Sequence, residues 1–594
     1  MCGFIGSLST EKIILEKLEQ SNSKLICRGP DKKKIYKDKI DNFHFASIFN
    51  RLSIIDLSSS ADQPMFSENN EHILVFNGEI YNHNELRSFL VQKGFRFRTN
   101  HSDTETLLNA LIYYKFNTPS KLRGQFSFVY VDKKEKSILM CRDRVGQKPL
   151  YYSETKDSLN FSSNLNSLAS YLNCNELNED SIYSYLNYGR VNGESTIFKN
   201  IYELKPGQIV KIKFGNGPFT KEVSDYWKLE DFYDNKKFDE EEFYSIFEES
   251  VKLRTQSDVP YATFLSGGLD STSIVKSQNK LNKRLNTFSV YMEDKKFDES
   301  EYCELVAKKY NSEHKSIRIK NIFSIEKLND VIKSLDEPFA DPSYLPTYLL
   351  SNEISKYYKM AISGDGGDEL LGGYVRVQKS LNNKSNTLLS NLYKFYPPSL
   401  GTGNIFLSKS KDLNLRYNSF LSDNNLLRLL KIPLKKDENN QFQKQIFESN
   451  YKQLMFNEYQ FFLPQLMMYK VDRASMFNSL EVRSPFVDNR LIEYVFSHSY
   501  EYFDTLNPKS LLKNYISEDF SAQFLNRKKQ GFIFDVESFV YGNKYYFYEN
   551  INLLTKKTSL EIKNINKIFN LKTRMNANRI WKLSILSSYL NNNL

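Results

Sequence analysis

The sequence predicts an α+β domain of stacked antiparallel sheets, followed by an α/β domain with a parallel sheet and a largely helical C-terminal part. Before about residue 230, apolar β-type runs alternate with polar turns, as in HFASIFNRLSII, HILVFNGEIY, QFSFVYVD and KSILMCRD. Beyond that point the strand-like runs TFL, LNTFSVYM and KMAIS are separated by helical segments such as ESEYCELVAKKY, which is typical of a parallel sheet with crossover helices. From about residue 380 the pattern is mostly helical. We place the domains at residues 1–230 and 231–594.

Length and composition restrict the class of protein. The 594 residues exceed the roughly 250–300 at which one hydrophobic core stops growing. No run reaches the roughly 18 apolar residues of a membrane span and no signal peptide is visible, so we expect a cytoplasmic protein. The 5 cysteines lack disulfide or zinc spacing. The net charge of +10 comes from dispersed lysines, so we expect no nucleic-acid partner.

The second domain is expected to begin with a helix. The clearest change of pattern falls near residues 212–240, where FGNGPF gives way to the acidic segment DEEEFYSIFEESVKLRTQSDVP, and we expect its helix to follow a linker. Phe243, Ile246, Phe247 and Val251 have helical spacing there. The boundary near residue 230 rests on this change of pattern.

Cys2 is the candidate nucleophile of the N-terminal domain. Removal of Met1, which a small second residue permits, gives Cys2 both a thiol and a free α-amino group. Their ordinary pKa values, about 8.5 and about 7.7–8.0, are nearly matched, so moving the proton from sulfur to nitrogen costs only about 1 kcal/mol. The residue therefore carries its own base. By position alone, Cys2 would be an ordinary residue after the initiator.

Several motifs follow Cys2 in a fixed order over the first 150 residues: MCGFIG, CRGPD at 27–31, RLSIIDL at 51–57, NGEIYNHNELR at 77–87, SDTET at 102–106 and RDRVGQKPLYY at 142–152. Together they closely resemble the glutamine amidotransferase domain of the class II, N-terminal-nucleophile family, in the version found in asparagine synthetases. The resemblance implies a four-layer αββα sandwich of antiparallel sheets and glutamine as a substrate.

Asn77 and Gly78 are interpreted as an oxyanion hole in a turn after the apolar run ILVF. A side-chain amide beside a glycine N–H supplies two donors to a developing negative charge. Considered alone, the same pair is the strongest short signal for a plain hairpin turn. The family resemblance favours the catalytic interpretation.

Three charged residues suit the ends of a bound amino acid. Arg51 is expected to pair with the α-carboxylate of glutamine, and Glu79 and Asp103 to receive its ammonium group. Each taken alone would be an ordinary surface charge. The segment from Ser102 to Glu105 also fits a capping box that opens the helix TETLLNALIYY.

A glycine- and serine-rich loop marks the second domain. SGGLDS lies between a short strand and a helix and lacks the GxxxxGK[ST] pattern of a Walker A loop. It resembles the pyrophosphate loop of N-type ATP pyrophosphatases, which cleave ATP to AMP and pyrophosphate. The resemblance implies an ATP site at Leu265, Ser266, Gly267, Gly268, Leu269, Asp270 and Ser271, with Ser363 and Gly364 of a second loop and with Val290 packed on adenine.

The second loop, SGDGGDELLGGY at 363–374, is expected to meet the first at the carboxyl edge of the sheet. Carboxylates beside a phosphate loop are costly unless they hold cations, so Asp270 and Asp368 are the magnesium candidates. The resemblance places Asp365 near the acceptor carboxylate. It also matches Lys529, in RKKQGF, to a lysine that steadies pyrophosphate.

The resemblance implies a glutamine-hydrolysing amide ligase that uses Mg-ATP, with an internal passage for ammonia and a possible homodimer. Aspartate and a sugar uronic acid both supply a carboxylate, so the motifs leave two acceptors open. A non-catalytic regulatory protein of the same fold would show decayed motifs, whereas Cys2, Asn77 and SGGLDS are present. Two positions depart from the family, Asn164 in place of a common Glu and Ala61 in place of a common Gly, and the first predicts altered communication between domains.

Overall fold

The computed structural model of the chain describes residues 2–215, 217–234, 236–281, 284–291, 298–318, 324–432, 445–498, 507–527, 535–558 and 565–594. The predicted fold class is confirmed. Two six-stranded antiparallel sheets form the N-terminal part, and a five-stranded parallel sheet with many helices follows.

The N-terminal part contains twelve strands among the described residues. Their bounds are β1 Gly3–Ser9, β2 Lys32–Ile40, β3 Phe43–Arg51, β4 Met65–Phe66, β5 His72–Ile80, β6 Gly124–Asp132, β7 Ser137–Arg142, β8 Tyr151–Glu154, β9 Ser158–Ser162, β10 Tyr202–Glu203, β11 Gln208–Lys213 and β12 Thr220–Asp225. The first sheet has the order β10-β8-β9-β1-β3-β2, and the second has the order β12-β11-β7-β6-β5-β4.

The helices of this part lie outside the two sheets and give a four-layer αββα arrangement. Their bounds are α1 Leu15–Asn22, α2 His83–Gln92, α3 Asp103–Tyr114, α4 Thr118–Lys121, α5 Leu165–Leu172 and α6 Glu179–Tyr188. Phe4 and Phe45 of the first sheet pack between the sheets with Val75 and Met140 of the second. A separate core joins the second sheet to α2 and α3, and a small one joins the first sheet to α1.

The C-terminal part is organised around a parallel sheet with the order β15-β14-β13-β16-β17. Its strands are β13 Tyr261–Phe264, β14 Asn286–Tyr291, β15 Glu313–Arg318, β16 Met360–Ile362 and β17 Glu481–Arg483. β13, β14 and β16 overlap the predicted runs, whereas the polar strand β15 was not predicted. The fifth, with the sequence EVR, is an element that the apolar pattern did not predict.

Helices surround this sheet and continue to the C-terminus. Their bounds are α7 Glu240–Arg254, α8 Leu269–Asn279, α9 Ser300–Lys309, α10 Ile325–Lys333, α11 Tyr344–Ile354, α12 Gly367–Leu371, α13 Val375–Asn382, α14 Thr387–Asn391, α15 Asn404–Leu407, α16 Leu413–Asn418, α17 Asn424–Leu429, α18 Asn450–Asn457, α19 Tyr469–Met476, α20 Asn489–Ser497, α21 Ser510–Ile516, α22 Ala522–Asn526, α23 Val536–Gly542, α24 Lys544–Lys557, α25 Ile565–Asn570 and α26 Arg574–Asn593. A π-helical segment, Glu458–Met468, joins α18 to α19 and contains Pro464.

The predicted helix after the domain junction is α7, which buries Phe243, Phe247 and Val251. Asp239 caps its first turn by accepting from the N–H groups of residues 241 and 242. The segment FGNGPF, where the change of pattern begins, lies between β11 and β12, which pair antiparallel in the N-terminal sheet. The strand that follows it was too polar to be recognised from its sequence.

The two parts of the chain meet through buried charges. Asp472 of α19 accepts from both terminal nitrogens of Arg28, at 2.9 and 3.1 Å, and from Lys148 at 3.3 Å. Burial opposes ionisation of Asp472, yet these cations hold its pKa well below its usual range. Both cations belong to the N-terminal part, so the contact fixes α19 against that domain. Within the described ranges, no helix has the length and apolar character needed to cross a bilayer.

Candidate active sites

Cys2, which directly precedes β1 of the first sheet, meets Asn77 of β5 in the second sheet. The backbone N–H of Cys2 donates to Oδ1 of Asn77 at 3.0 Å, and both residues are buried. Nδ2 of Asn77 is buried and has no hydrogen-bond partner in the described part of the chain. Burial raises the pKa of the Cys2 thiol, while the positive amino terminus and Arg51 oppose that shift. The Asn77 side chain that contacts the backbone of Cys2 thus has an amide donor without a protein partner, and an oxyanion hole needs such a donor.

The predicted turn at Asn77 and Gly78 is wrong, because both residues lie inside β5. Asn77 pairs with Ser127 and Gly78 with Phe126 of β6, so cross-strand pairing overrides the local Asn-Gly turn signal. Gly78 has φ of 154°, and a Cβ there would lie 2.0 Å from the carbonyl oxygen of Gln125. Only glycine fits this close approach of the two strands.

Glu79 lies between a carboxyl group and a guanidinium. Its Oε1 is 3.1 Å from Nη2 of Arg483, which also pairs through Nε with Glu481 at 2.5 Å. On the other side is Asp103, whose Oδ2 accepts from the N–H of Ile80 at 3.0 Å. Arg483 and Glu481 come from β17, so the second part of the chain contributes directly to the surroundings of Glu79.

The pKa shifts of this cluster show which carboxyl can accept another cation. Burial opposes the charge of Glu481, but Arg483 dominates and lowers the pKa of Glu481 to about 2. Burial raises the pKa of Glu79 well above its usual range, with Asp103 and Glu481 adding to the effect and Arg483 opposing it. Burial also raises the pKa of Asp103. An added positive charge near Glu79 and Asp103 would lower both pKa values, and the expected pairing of these residues with a substrate ammonium group stays a prediction.

Arg51 holds the loop that follows β3. Its Nη1 donates to Oδ1 of Asp62 and to the carbonyl oxygen of Ser58, each at 2.8 Å, and its Nη2 donates to the carbonyl oxygen of Asp56. The guanidinium group of Arg51 is therefore bonded to the loop that follows β3. Its expected pairing with a substrate carboxylate stays a prediction.

The predicted start of α3 at Ser102 and Asp103 agrees with the structure, but the capping box does not form. Ser102 precedes the helix and makes no side-chain cap. The Glu105 carboxylate instead accepts from the N–H groups of Arg98 at 2.8 Å and Thr99 at 2.7 Å. It thereby fixes the segment that leads into α3.

The SGGLDS loop joins β13 to α8, as expected. Gly267 has φ of 68°, and α8 begins at Leu269. The hydroxyl of Ser271 accepts from the N–H of Ser266 at 3.2 Å, and the hydroxyl of Ser266 accepts from the N–H of Gly268 at 3.3 Å. The loop is thus closed on itself at the N-terminal end of a helix, a geometry that suits phosphate groups.

The second loop packs on the first. A Cβ on Gly364 would lie 3.0 Å from Cβ of Asp270, and one on Gly367 would lie 2.6 Å from its Oδ1. Ser363 follows β16, and its N–H donates to the carbonyl oxygen of Arg483 at 2.9 Å. The two loops therefore form one site at the carboxyl edge of the sheet, and β17 connects that site to Glu79.

Asp270 and Asp368 converge on one cation position, where the ammonium group of Lys509 lies. Its Nζ is 2.6 and 2.5 Å from the two oxygens of Asp270 and 2.5 Å from Oδ1 of Asp368. The described residues include no group of 3 or more His, Cys, Asp or Glu side chains arranged for a metal. Two carboxylates nevertheless fit Mg²⁺, which binds through one or two carboxylates together with substrate phosphates.

The remaining predicted residues have mixed outcomes. Asp365 is partly exposed at the turn before α12, and its carbonyl oxygen accepts from the hydroxyl of Ser484. Val290 is buried in β14. Lys529 lies outside the described residues, whereas the neighbouring Arg527 donates to the carbonyl oxygen of Gly267 at 2.6 Å.

The two departures from the family have ordinary structural roles. Asn164 caps α5 through a bond from the N–H of Ser167 at 2.9 Å, and Ala61 is buried. Their effect on communication between domains stays a prediction.

Sequence reasoning missed Glu481, Arg483 and Lys509. The first two lie in the segment SLEVRSPFVD, and their i, i+2 spacing places both on one face of a strand. Lys509 had no signal, since it is a single lysine in the segment NPKSLLKNY.

Comparison with known proteins agrees with this geometry. The asparagine synthase family model matches residues 242–570, and the glutamine amidotransferase domain model matches residues 1–227. "Asparagine synthetase [glutamine-hydrolyzing] 1" of Bacillus subtilis (strain 168) is 30% identical over 90% of this chain and 87% of its own length. "Asparagine synthetase [glutamine-hydrolyzing] 3" of the same organism is 26% identical over 89% and 86% of the two lengths.

A "putative asparagine synthetase [glutamine-hydrolyzing] 2" of Methanocaldococcus jannaschii is 33% identical over 63% of this chain and 76% of its own length. Among solved structures, the "allosteric regulatory enzyme of purine biosynthesis" matches 44% of this chain and 60% of its own at 15% identity, with a TM-score of 0.29, which is too low to support an argument. The family models and the relatives of near-full length show that the chain belongs to the asparagine synthetase family of glutamine-dependent ligases.

Proposed function

We propose that this ligase converts aspartate to asparagine, with ammonia from glutamine and with ATP cleaved to AMP and pyrophosphate. The observation that carries the proposal is the joining of the two sites. Arg483 touches Glu79 through its side chain, and its backbone holds Ser363 of the second loop. Glutamine hydrolysis and carboxylate activation thereby share one structural element.

In the first half-reaction, the Cys2 sulfur attacks the side-chain amide carbon of glutamine after its proton passes to the α-amine that Met1 removal exposes. Nδ2 of Asn77 and the N–H of Gly78 stabilise the tetrahedral oxyanion. Collapse breaks the C–N bond, the nitrogen takes the proton held by the α-amine and leaves as ammonia, and water then hydrolyses the thioester to glutamate and the free Cys2 thiol. Glu79 and Asp103 hold the substrate ammonium group throughout.

In the second half-reaction, an oxygen of the acceptor carboxylate attacks the α-phosphorus of ATP, which displaces pyrophosphate and gives an acyl-AMP. The loop from Ser266 to Ser271 is proposed to bind the phosphates through N–H groups at the start of α8. Mg²⁺, when bound, would be held by Asp270 and Asp368 and would neutralise phosphate charge. Ammonia then attacks the acyl carbon and displaces AMP. Asp365 and Lys529 are proposed to act near the acceptor and the pyrophosphate.

Replacing Cys2 with Ala separates the two half-reactions. The C2A protein should lose glutamine-dependent synthesis and keep synthesis from free ammonium salts, because Cys2 acts only in ammonia release. Product formation with each nitrogen source is the measurement. C174A is the matched control, since Cys174 is a partly exposed thiol that donates to the carbonyl oxygen of Lys199 at 3.4 Å. Loss of both activities in C2A would contradict separate sites.

Replacing Asn77 with Ala removes one oxyanion donor. Glutamine hydrolysis should slow by about 10²–10³, the usual effect of deleting such a donor, as measured by single-turnover or steady-state glutaminase assays. N109A is the control, because Asn109 is buried in α3 and bonds the carbonyl oxygen of Arg96 at 3.4 Å. A loss below about tenfold in N77A would mean that Asn77 is merely a strand residue.

The acceptor is tested by pyrophosphate release. The purified enzyme with Mg-ATP should release pyrophosphate on addition of aspartate and form asparagine when glutamine is also present. Nucleotide-linked uronic acids form the second arm of the assay. A response to a uronic acid with none to aspartate would overturn the proposed acceptor.

A further inference from the structure

The cation at the paired carboxylates belongs to the protein itself. Lys509 places its ammonium group within 2.6 Å of both oxygens of Asp270 and within 2.5 Å of Oδ1 of Asp368. The three side chains are only 7%, 12% and 13% exposed. A contact this close and this shielded from water is unlike a surface ion pair.

The backbone around Lys509 is built for this contact. Lys509 adopts a left-handed conformation, with φ of 60° and ψ of 28°, immediately before α21. Such a conformation is uncommon for a residue other than glycine and is kept when surrounding contacts require it. On the opposite side, a Cβ on Gly373 would lie 2.0 Å from Oδ1 of Asp368 and 2.5 Å from Cε of Lys509. Glycine at 373 therefore makes room for both partners.

Helix α21 is held against the phosphate loop's helix, which keeps Lys509 in place. Nζ of Lys276 in α8 donates to the carbonyl oxygen of Tyr515 in α21 at 2.6 Å and pairs with Asp519 at 2.8 Å. Because Asp270 lies in the first turn of α8, this contact sets the distance between Asp270 and Lys509.

The ammonium group of Lys509 and a divalent metal would compete for the carboxylate oxygens of Asp270 and Asp368. Two shielded carboxylates repel each other unless a cation lies between them, and Lys509 supplies that cation. A divalent metal would take the same oxygens, and a positive charge a few ångströms away disfavours its arrival. The triphosphate of ATP is strongly negative and gives the displaced ammonium group a new partner.

We propose that Lys509 is a built-in counterion that occupies the metal position in the nucleotide-free enzyme, so that Mg²⁺ is admitted only together with ATP. Its ammonium group then moves to the triphosphate. This inference rests on the proposed function because it takes Asp270 and Asp368 as the metal-binding carboxylates. It gives the synthetase site a fixed order of binding, in which metal and nucleotide enter as one complex.

The test is a titration of the nucleotide-free, full-length protein with Mn²⁺, followed by electron paramagnetic resonance of the free metal. Wild-type enzyme should bind Mn²⁺ weakly without ATP, and K509A should bind it at least about tenfold more tightly, because the competing cation is gone. An unchanged or lower Mn²⁺ affinity in K509A would overturn the inference.

The K509A variant should bind nucleotide more weakly, although it binds free Mn²⁺ more tightly. The KM for Mg-ATP in ammonia-dependent synthesis should rise about tenfold or more, because the triphosphate loses a cationic partner. If Lys509 had only a structural role, its replacement would not strengthen Mn²⁺ binding and at the same time weaken Mg-ATP binding. A KM for Mg-ATP equal to that of wild type would contradict the transfer of the ammonium group.

Three variants serve as controls. K513A removes a lysine one turn along α21 that donates to Asn507 at 2.5 Å and Asn526 at 3.2 Å, and it should leave Mn²⁺ affinity unchanged. K509R keeps the positive charge and should keep nucleotide-free Mn²⁺ binding weak. Glutamine hydrolysis by the N-terminal domain reports that K509A is folded.

D270N combined with D368N separates this inference from the proposed function. If the double variant still binds Mn²⁺ with ATP as wild type does, the metal assignment itself is wrong. If it loses that binding while K509A behaves as wild type, the metal assignment stands and the role of Lys509 is wrong.

Discussion

The guanidinium group of Arg483 is the contact on which the joined sites depend. It is fully buried, and its partners Glu79 and Glu481 are buried as well. Removing one partner of such a group typically costs about 3–5 kcal/mol, because the remaining charge has no water to stabilise it. Separating β17 from the N-terminal domain would therefore leave Glu79 and Arg483 without each other as partners, with that penalty in free energy.

The backbone of the same strand supports the second loop of the synthetase site. β17 pairs with β16 in parallel, so the strand that presents Arg483 to Glu79 also fixes the backbone of Ser363. Asp472 in α19, held by Arg28 and Lys148, secures the segment that leads into β17. The buried charges thus position the glutamine site and the phosphate loops on one continuous framework.

Much of the fold and of the two sites could be predicted from the sequence, because the signals lie in short segments of the chain. Apolar runs predicted the apolar strands, such as β5, β6, β13 and β14, and Cys2 and SGGLDS were recognisable by type and spacing. The Asn77-Gly78 turn was wrong since cross-strand pairing, which no short window contains, decided the backbone. EVR was missed because charged residues predict a surface unless their partners are known, and those partners lie about 400 residues away. Lys509 was missed because its partners, Asp270 and Asp368, are also distant in the sequence.

Replacement of Arg483 with Met is the most direct test of the claim that the second domain completes the glutamine site. The framework predicts that kcat/KM for glutamine hydrolysis falls at least about 100-fold, because Glu79 loses its cation, while synthesis from free ammonia stays within about tenfold of wild type. R490M is the control, since Arg490 is exposed and pairs with the surface residue Glu249. A folded R483M enzyme with unchanged glutamine hydrolysis, or with both activities reduced equally, would contradict the account.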